Sequence, residues 1–270
     1  MSGTALGVER SIGGRRWRNR LQDDRLALAL AQRLDLPEIV ARVLAARGVG
    51  ADEAADFLNP TLRALLPDPS SMAGMDAAVS RLADAVAGGE TIGIFGDYDV
   101  DGATSSALLV RFLGALGVPS LVHIPDRQKE GYGPNAPALL SLRERGAGIV
   151  ITVDCGISAF EPLRLAHEAG IEVIVFDHHT AEATLPAACA VVNPNRIDDS
   201  SGLGQLAAVG VTFMAVVALN RELRRRDFYN GRSEPDLMRW LDLVALGTIC
   251  DSVPLTGLNR ALAQQGFKAM

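Results

Sequence analysis

Three carboxylates stand on alternate positions in GDYDVDG (residues 96–102): Asp97, Asp99 and Asp101, directly after the apolar run TIGIF. Two later apolar runs end the same way, IVITV in Asp154 and VIVF in Asp177, the latter followed at once by His178 and His179. A single Asp after a strand is commonly a helix cap or a turn residue. Acids at three successive strand ends, with a histidine pair beside one of them, ask for a different explanation. Convergent carboxylates raise one another's pKa and repel, and a divalent cation reverses that balance. Oxygen and imidazole donors together suit Mn2+, Mg2+ or Fe2+ better than a thiolate-loving metal, and a carboxylate such as Asp154 could bridge two ions. Two ions roughly 3.5–4 Å apart can clamp a phosphate and activate a water. The chemistry this pattern predicts is metal-assisted hydrolysis of a phosphate ester.

For these side chains to meet, their strands must lie side by side with one polarity. The text between residues 75 and 192 supplies that arrangement. MDAAVSRLADAVAGGE reads as a helix with a glycine stop, then TIGIFG as a buried strand, ATSSALLVRFLGALG as a helix and PSLVHIP as a strand. NAPALLSLRERG, GIVITVD, SAFEPLRLAHEAG, IEVIVFD and CAVVNP continue as helix, strand, helix, strand, strand. Strands alternating with helices predict right-handed crossovers and a mostly parallel five-stranded sheet flanked by helices, an α/β fold. Ligands in such sheets bind beyond the carboxyl ends of the strands, where the acids fall.

Before this region, residues 23–58 read as three short helices, an N-terminal helical cap, and residues 59–75, with Pro60, Pro67 and Pro69, read as an aperiodic wrap over the surface. After it come QLAAVGVTFMAVVALNRELRRR and PDLMRWLDLVALGTI, each read as one helix, and NRALAQQGFKAM as the start of another. Gly210, Phe213 and Met214 are expected to pack against the sheet. The expected organisation is a tail and cap over 1–75, a catalytic domain over 76–256, and the start of a connecting helix over 257–270.

The 270 residues are 48% apolar with a net charge of −6, which argues against a protein that coats nucleic acid by charge alone. Cys155, Cys189 and Cys250 form no CxxC pair, so neither a zinc ribbon nor a disulfide framework is expected. No apolar run reaches the length of a membrane span and the start has no signal-peptide core, so no membrane partner and a cytoplasmic location are expected. The clusters RRWRNR (15–20) and NRELRRRD (220–227) read either as tracks for a DNA backbone or as solvated charge. His123 and His167 are expected to have no direct role.

GDYDVDG, VDCG, DHH and LVALGTICDSVPL resemble the four motifs of the DHH phosphoesterases, and IPDRQKEGYG, VVNPNR and LAAVGVTFMA resemble the RecJ-type single-strand-specific DNA exonucleases within that family. The resemblance runs over residues 36–270. It implies a site with two divalent cations, Mn2+ or Mg2+. Asp97 and Asp99 would bind one ion, Asp101 the other, and Asp154 both, while His178 and Asp251 would complete the second ion's shell. His179 would face the scissile phosphate, and Asp177 would orient the histidines. Among these, Asp154, Asp177, His178 and His179 are the expected catalytic set. Arg127 and Tyr132, in the loop DRQKEGYG, are candidates for gripping phosphate and base. The implied activity is 5′ to 3′ exonucleolytic hydrolysis of single-stranded DNA in recombination and repair, with single-strand-binding protein and a helicase as partners. A phosphodiesterase acting on short oligonucleotides or cyclic dinucleotides shares the same metal core, and an inactive truncated fragment is a third reading. The DHHA1-type and oligonucleotide-binding domains that follow in such proteins are absent from this text.

Overall fold

The apolar runs of the central region form five strands: β1 (Thr91–Gly96), β2 (Ser120–His123), β3 (Ala147–Val153), β4 (Glu172–Phe176) and β5 (Ala190–Val192). They make one sheet in the order β2-β1-β3-β4-β5, and every neighbouring pair is parallel. The structure is a computed structural model, which describes residues 4–21 and 23–270. Contacts divide the chain into two units, Met1–Thr61 and Leu62–Met270.

In the first unit, α1 (Arg25–Leu34), α2 (Glu38–Ala46) and α3 (Ala54–Leu58) enclose a small core of Ala27, Leu30, Ala41, Leu44 and Ala54. The three helices expected from the sequence are therefore present. Arg33 reaches Asp52 at 2.9 Å and Arg42 reaches Asp24 at 3.1 Å within this unit.

The second unit begins with α4 (Leu62–Leu65) and a 3-10 turn, Pro69–Ser71, then α5 (Met75–Gly88). This departs from the surface wrap expected for residues 59–75, because Pro69, Met72 and Met75 are buried and the two methionines join the main core. The helices that follow are α6 (Val100–Leu116), α7 (Ala136–Glu144), α8 (Phe160–Glu168), α9 (Ala208–Arg225), α10 (Leu241–Cys250) and α11 (Gly257–Ala269).

Alternation along the strands divides the core into two layers, as a sheet covered on both faces requires. Ile92, Ile94, Ile149, Ile151, Val153, Ile174 and Phe176 face a cluster with Leu82, Leu109, Phe112, Phe213 and Met214, from α5, α6 and α9. Val150, Val173 and Val175 face Leu139, Leu142 and Leu163, from α7 and α8. Gly210, Phe213 and Met214 are buried as expected.

Two helices are shorter than their apolar patterns suggest. PDLMRWLDLVALGTI divides into a 3-10 turn, Leu237–Trp240, and α10, because the Asp236 carboxylate accepts the Met238 N–H at 3.0 Å and sets the tighter turn. QLAAVG does not start α9 at Gln205. The helix opens at Ala208, whose N–H donates to a carboxylate from a distant part of the chain.

The chain passes from β1 to β2 on one side, then crosses back to β3 on the other. The reversal opens a crevice between the carboxyl ends of β1 and β3. From β4 to β5 no helix intervenes, and the connection carries Asp177, His178 and His179.

Candidate metal centre

Three carboxylates extend the sheet by one residue each. The Asp97 N–H donates to the Val153 carbonyl (3.2 Å), the Asp154 N–H to Phe176 (3.0 Å) and the Asp177 N–H to Val192 (3.1 Å). Each Asp is thus the first residue beyond β1, β3 or β4, held by a ladder bond of the neighbouring strand. Parallel register, which no local pattern encodes, brings the three to one edge.

Asp99 and Asp101 arrive by a different route. Asp99 caps α6, its carboxylate accepting the N–H groups of Asp101 (2.9 Å) and Gly102 (3.0 Å). Asp101, in the first turn of α6, turns its carboxylate onto the start of α9, where the N–H groups of Ala208 and Val209 donate at 2.6 and 2.8 Å. It therefore serves as the long-range cap that sets where α9 begins. Asp251 ends α10. That helix comes close because residue 247 is glycine: a Cβ there would lie 2.8 Å from Val209 Cγ1 and 3.0 Å from Asp101 Oδ1.

The donor atoms gather in three overlapping groups: Asp97, Asp99 and Asp154; Asp101, His178 and Asp251; and Asp154, His178 and His179, with the atoms of each group within 4.8 Å of one another. His178 Nε2 lies 3.3 Å from Asp154, 3.8 Å from Asp251 and 3.9 Å from Asp101. The His178 Nδ1 sits 3.1 Å from the Leu206 carbonyl, which can only accept, so Nδ1 carries the proton. In the neutral ring, Nε2 then presents a lone pair to three carboxylates.

That is an arrangement of acceptors facing acceptors. Asp97 Oδ1, Asp154 Oδ1, His178 Nε2 and Asp251 Oδ2 are all buried without a hydrogen-bond partner. Each close carboxylate pair repels by about 3–4 kcal/mol at an effective dielectric near 20. Burial pushes the Asp154 carboxyl far above its ordinary value, with the neighbouring Asp101 and Asp99 charges adding to the shift. Burial likewise raises Asp101, Asp97 and Asp251. A hard divalent cation answers every one of these features, since it satisfies the orphaned atoms and reverses the repulsion. The donor set present fits such ions.

Asp177 differs from the other acids. Its carboxylate is fully buried but accepts four donors: the N–H groups of Ile157 (2.9 Å), His178 (2.7 Å) and His179 (3.1 Å), and His179 Nδ1 (2.7 Å). Burial acts to raise its pKa, yet these bonds, His179 first, hold it below the usual carboxylate range. The bond to Asp177 in turn raises His179. His179 is half exposed, with the Tyr132 hydroxyl 3.3 Å from its Nδ1 and also 3.3 Å from the Asp154 carbonyl.

Arg127 lies over the Tyr98 ring, 5.1 Å from its centroid, and forms no ion pair among the described residues. Lys129 pairs with Asp126 instead. The second basic cluster is fully engaged: Arg221 meets Asp68, Arg224 meets Glu234, Arg225 meets Glu222, and Arg226 meets Asp84 and Glu222. Each of these arginine heads already meets a carboxylate, as in a solvated, ion-paired helix face. His123 bonds Glu130 at 2.9 Å and belongs to none of the three donor groups. The sequence reading missed the Leu206 carbonyl and Gly247, and neither carries a signal without the fold.

The family model described as "DHH family, N-terminal domain" matches residues 91–248. The chain is 38% identical over 255 residues to the single-stranded-DNA-specific exonuclease RecJ of Bacillus subtilis, covering 94% of this chain and 31% of that protein. It is 40% identical over 236 residues to the Escherichia coli RecJ, covering 86% of this chain and 40% of that protein. Among solved structures it is similar to RecJ of Thermus thermophilus in complex with Mn2+, with a TM-score of 0.71 and 34% identity, covering 92% of this chain and 34% of the other. A second, an exonuclease RecJ bound to manganese, gives a TM-score of 0.63 at 38% identity, covering 73% and 48%. The chain spans between 31% and 40% of the length of these curated relatives. With the strand-end acids, the histidine pair and the parallel sheet all falling within that match, the chain belongs to the DHH family.

Proposed function

We propose that the chain is the catalytic part of a metal-dependent exonuclease that hydrolyses phosphodiesters of single-stranded DNA from the 5′ end. The observation that carries this reading is the set of buried, unpartnered donor atoms on Asp97, Asp154, His178 and Asp251, in a chain similar to RecJ proteins solved with Mn2+. Asp97, Asp99 and Asp154 would hold one cation, and Asp101, Asp154, His178 and Asp251 the other. Bound there, Mn2+ or Mg2+ would neutralise charge on the phosphate and bring a water near neutral pKa. His179, half exposed and raised by Asp177, is the group of this chain suited to donate a hydrogen bond to a phosphate oxygen. Arg127, over the ring of Tyr98, would add a cation beside the Asp97–Asp99 stretch, and Tyr132, against His179, an aromatic face for a base. By the same resemblance, single-strand-binding protein and a helicase would deliver the strand, in the cytoplasm. No helix among the described residues is long and apolar enough to cross a membrane.

The test is Mn2+-dependent release of nucleotides from a 5′-labelled single strand, with Asp101→Ala and a duplex as controls. Release that the substitution abolishes and that is absent on the duplex supports the reading. Preferential cleavage of two- to five-nucleotide substrates would replace it with the short-oligonucleotide phosphodiesterase. Mn2+ binding without release would mean that this part alone is inactive.

A further inference from the structure

The stretch VVNPNR has no role in the site described so far, yet both of its asparagines end on the histidine pair. Asn193 Nδ2 donates to the His179 carbonyl at 2.9 Å, and Asn195 Nδ2 donates to the His178 carbonyl at 2.5 Å. The two are tied to each other, the Asn195 N–H donating to Asn193 Oδ1 at 2.8 Å. Pro194 between them fixes one backbone angle and removes a donor. On the opposite side, Asp177 accepts the N–H groups of the same two histidines. The backbone of His178 and His179 is thus clamped at both amides and both carbonyls, although it lies in a crossover that contains no helix or strand.

Asn195 Nδ2 also lies 3.2 Å from the Gly204 carbonyl. That carbonyl stands two residues before Leu206, whose own carbonyl receives His178 Nδ1, and four before Ala208, whose N–H holds Asp101. One amide therefore joins the histidine crossover to the segment that orients both His178 and Asp101.

We infer that Asn195 and Asn193 are positioning residues with separate duties: Asn195 holds the His178 imidazole for cation binding, and Asn193 holds His179 for the phosphate. The inference rests on the metal reading above. Partners one step removed from a ligand typically change metal affinity or activity by about 10–100-fold.

The experiment compares Asn195→Ala, Asn193→Asp and Gly204→Ala with the unaltered chain by Mn2+ calorimetry, thermal unfolding without Mn2+, and turnover at saturating Mn2+. Asn195 is exposed, so its truncation leaves the core intact. Asn193→Asp keeps the acceptor that the Asn195 N–H uses but replaces the donor to His179 by a carboxylate oxygen at a buried position, so it breaks that bond at a stability cost that the thermal unfolding reads separately. Gly204→Ala places a Cβ 2.6 Å from Asn195 Oδ1 and pushes that side chain off its carbonyls without altering it. Asn195→Ala and Gly204→Ala should both weaken Mn2+ binding about 10-fold or more, while Asn193→Asp lowers kcat with Mn2+ affinity within about 3-fold of the unaltered chain. Equal losses of affinity and turnover in all three, in proportion to lowered melting temperature, would reduce the asparagines to structural supports and overturn the inference. Unchanged affinity in Asn195→Ala also overturns it. Failure of the unaltered chain to bind Mn2+ would instead sink the metal reading on which it stands.

Discussion

Gly102 and Gly114 lie in the same helix, and replacing each by alanine should have opposite effects. At Gly102 a Cβ would meet the Asp97 backbone: 2.6 Å from its N, 2.7 Å from its C, and closer still to its O. Ordinary contact begins at 3.4 Å, so the first turn of α6 must retreat by at least 3.4 − 2.6 = 0.8 Å. No flexible side chain can absorb this, because all three atoms are backbone of the residue that ends β1. Overpacking of this kind costs about 1–3 kcal/mol or more, against a helix-propensity gain of about 1 kcal/mol. The retreat also carries Asp99 and Asp101 away from Asp97. Gly102→Ala should therefore lower the melting temperature of this unit by several degrees, at about 2–4 °C per kcal/mol, and weaken Mn2+ binding. At Gly114 nothing lies within 4 Å and the position is exposed, so Gly114→Ala should stabilise by about 0.5–1 kcal/mol and leave Mn2+ affinity unchanged. The assay is thermal unfolding with and without Mn2+. A shift of the same sign in both variants would refute the close approach of α6 to the Asp97 backbone.

Mn2+ at about 100 times its dissociation constant should stabilise the unit by about 2.7 kcal/mol, read as a rise in melting temperature of roughly 5–10 °C. Asp154→Asn should abolish that rise and stabilise the metal-free chain at pH 8, by removing a buried charge beside Asp101 and Asp99. A carboxyl whose folded pKa is raised takes up its proton on folding. The metal-free chain is then most stable below the unfolded pKa and loses stability as pH climbs toward the folded one. The advantage of Asp154→Asn should accordingly shrink between pH 8 and pH 5, and a constant advantage would contradict the assignment. For nucleic-acid contact, Arg127→Ala should reduce the salt slope of single-strand binding by about 1, whereas Arg224→Gln and Arg225→Gln, already paired with Glu234 and Glu222, should leave it unchanged.

The five strands and the acids that end three of them were legible because a strand buried on both faces is a short continuous apolar run, and a ligand needs a polar residue at its end. The place of Asp251 was legible through the family resemblance alone, since its approach depends on Gly247 lying against Asp101 and Val209. The start of α9 was not legible from local signals. QLAAVG has helical periodicity, but its first N–H groups are capped by Asp101, more than a hundred residues away. The burial of Met72 and Met75 was hidden for a related reason, because a proline-rich stretch reads as surface unless the core beneath it is known. The ion pairs of Arg221 with Asp68 and of Arg226 with Asp84 are equally nonlocal, whereas those with Glu222 and Glu234 lie within ten residues.

Of the three non-glycine residues of the second unit with positive φ, Asp154, Asp227 and Ser252, two belong to the site or adjoin it. Asp154 has φ +61° and Ser252, next to Asp251, has φ +62°, left-handed conformations that residues other than glycine seldom adopt. Each costs of order 1–3 kcal/mol and persists only where the surroundings enforce it. At Asp154 the enforcement is visible: its N–H is held by Phe176, its carbonyl receives the Tyr132 hydroxyl, and Gly156, two residues on, turns the chain at φ +116°. The strained backbone aims the carboxylate so that it joins the Asp97/Asp99 group and also lies 3.3 Å from His178 Nε2, the centre of the Asp101/Asp251 group. A relaxed residue there would end β3 as an ordinary strand ends and would serve one group at most. Strain, mutual repulsion and unpaired atoms would therefore find one common relief in divalent cations held by Asp154 and its neighbours, and the scaffold of parallel strands supplies the rigidity that keeps the carboxylates together.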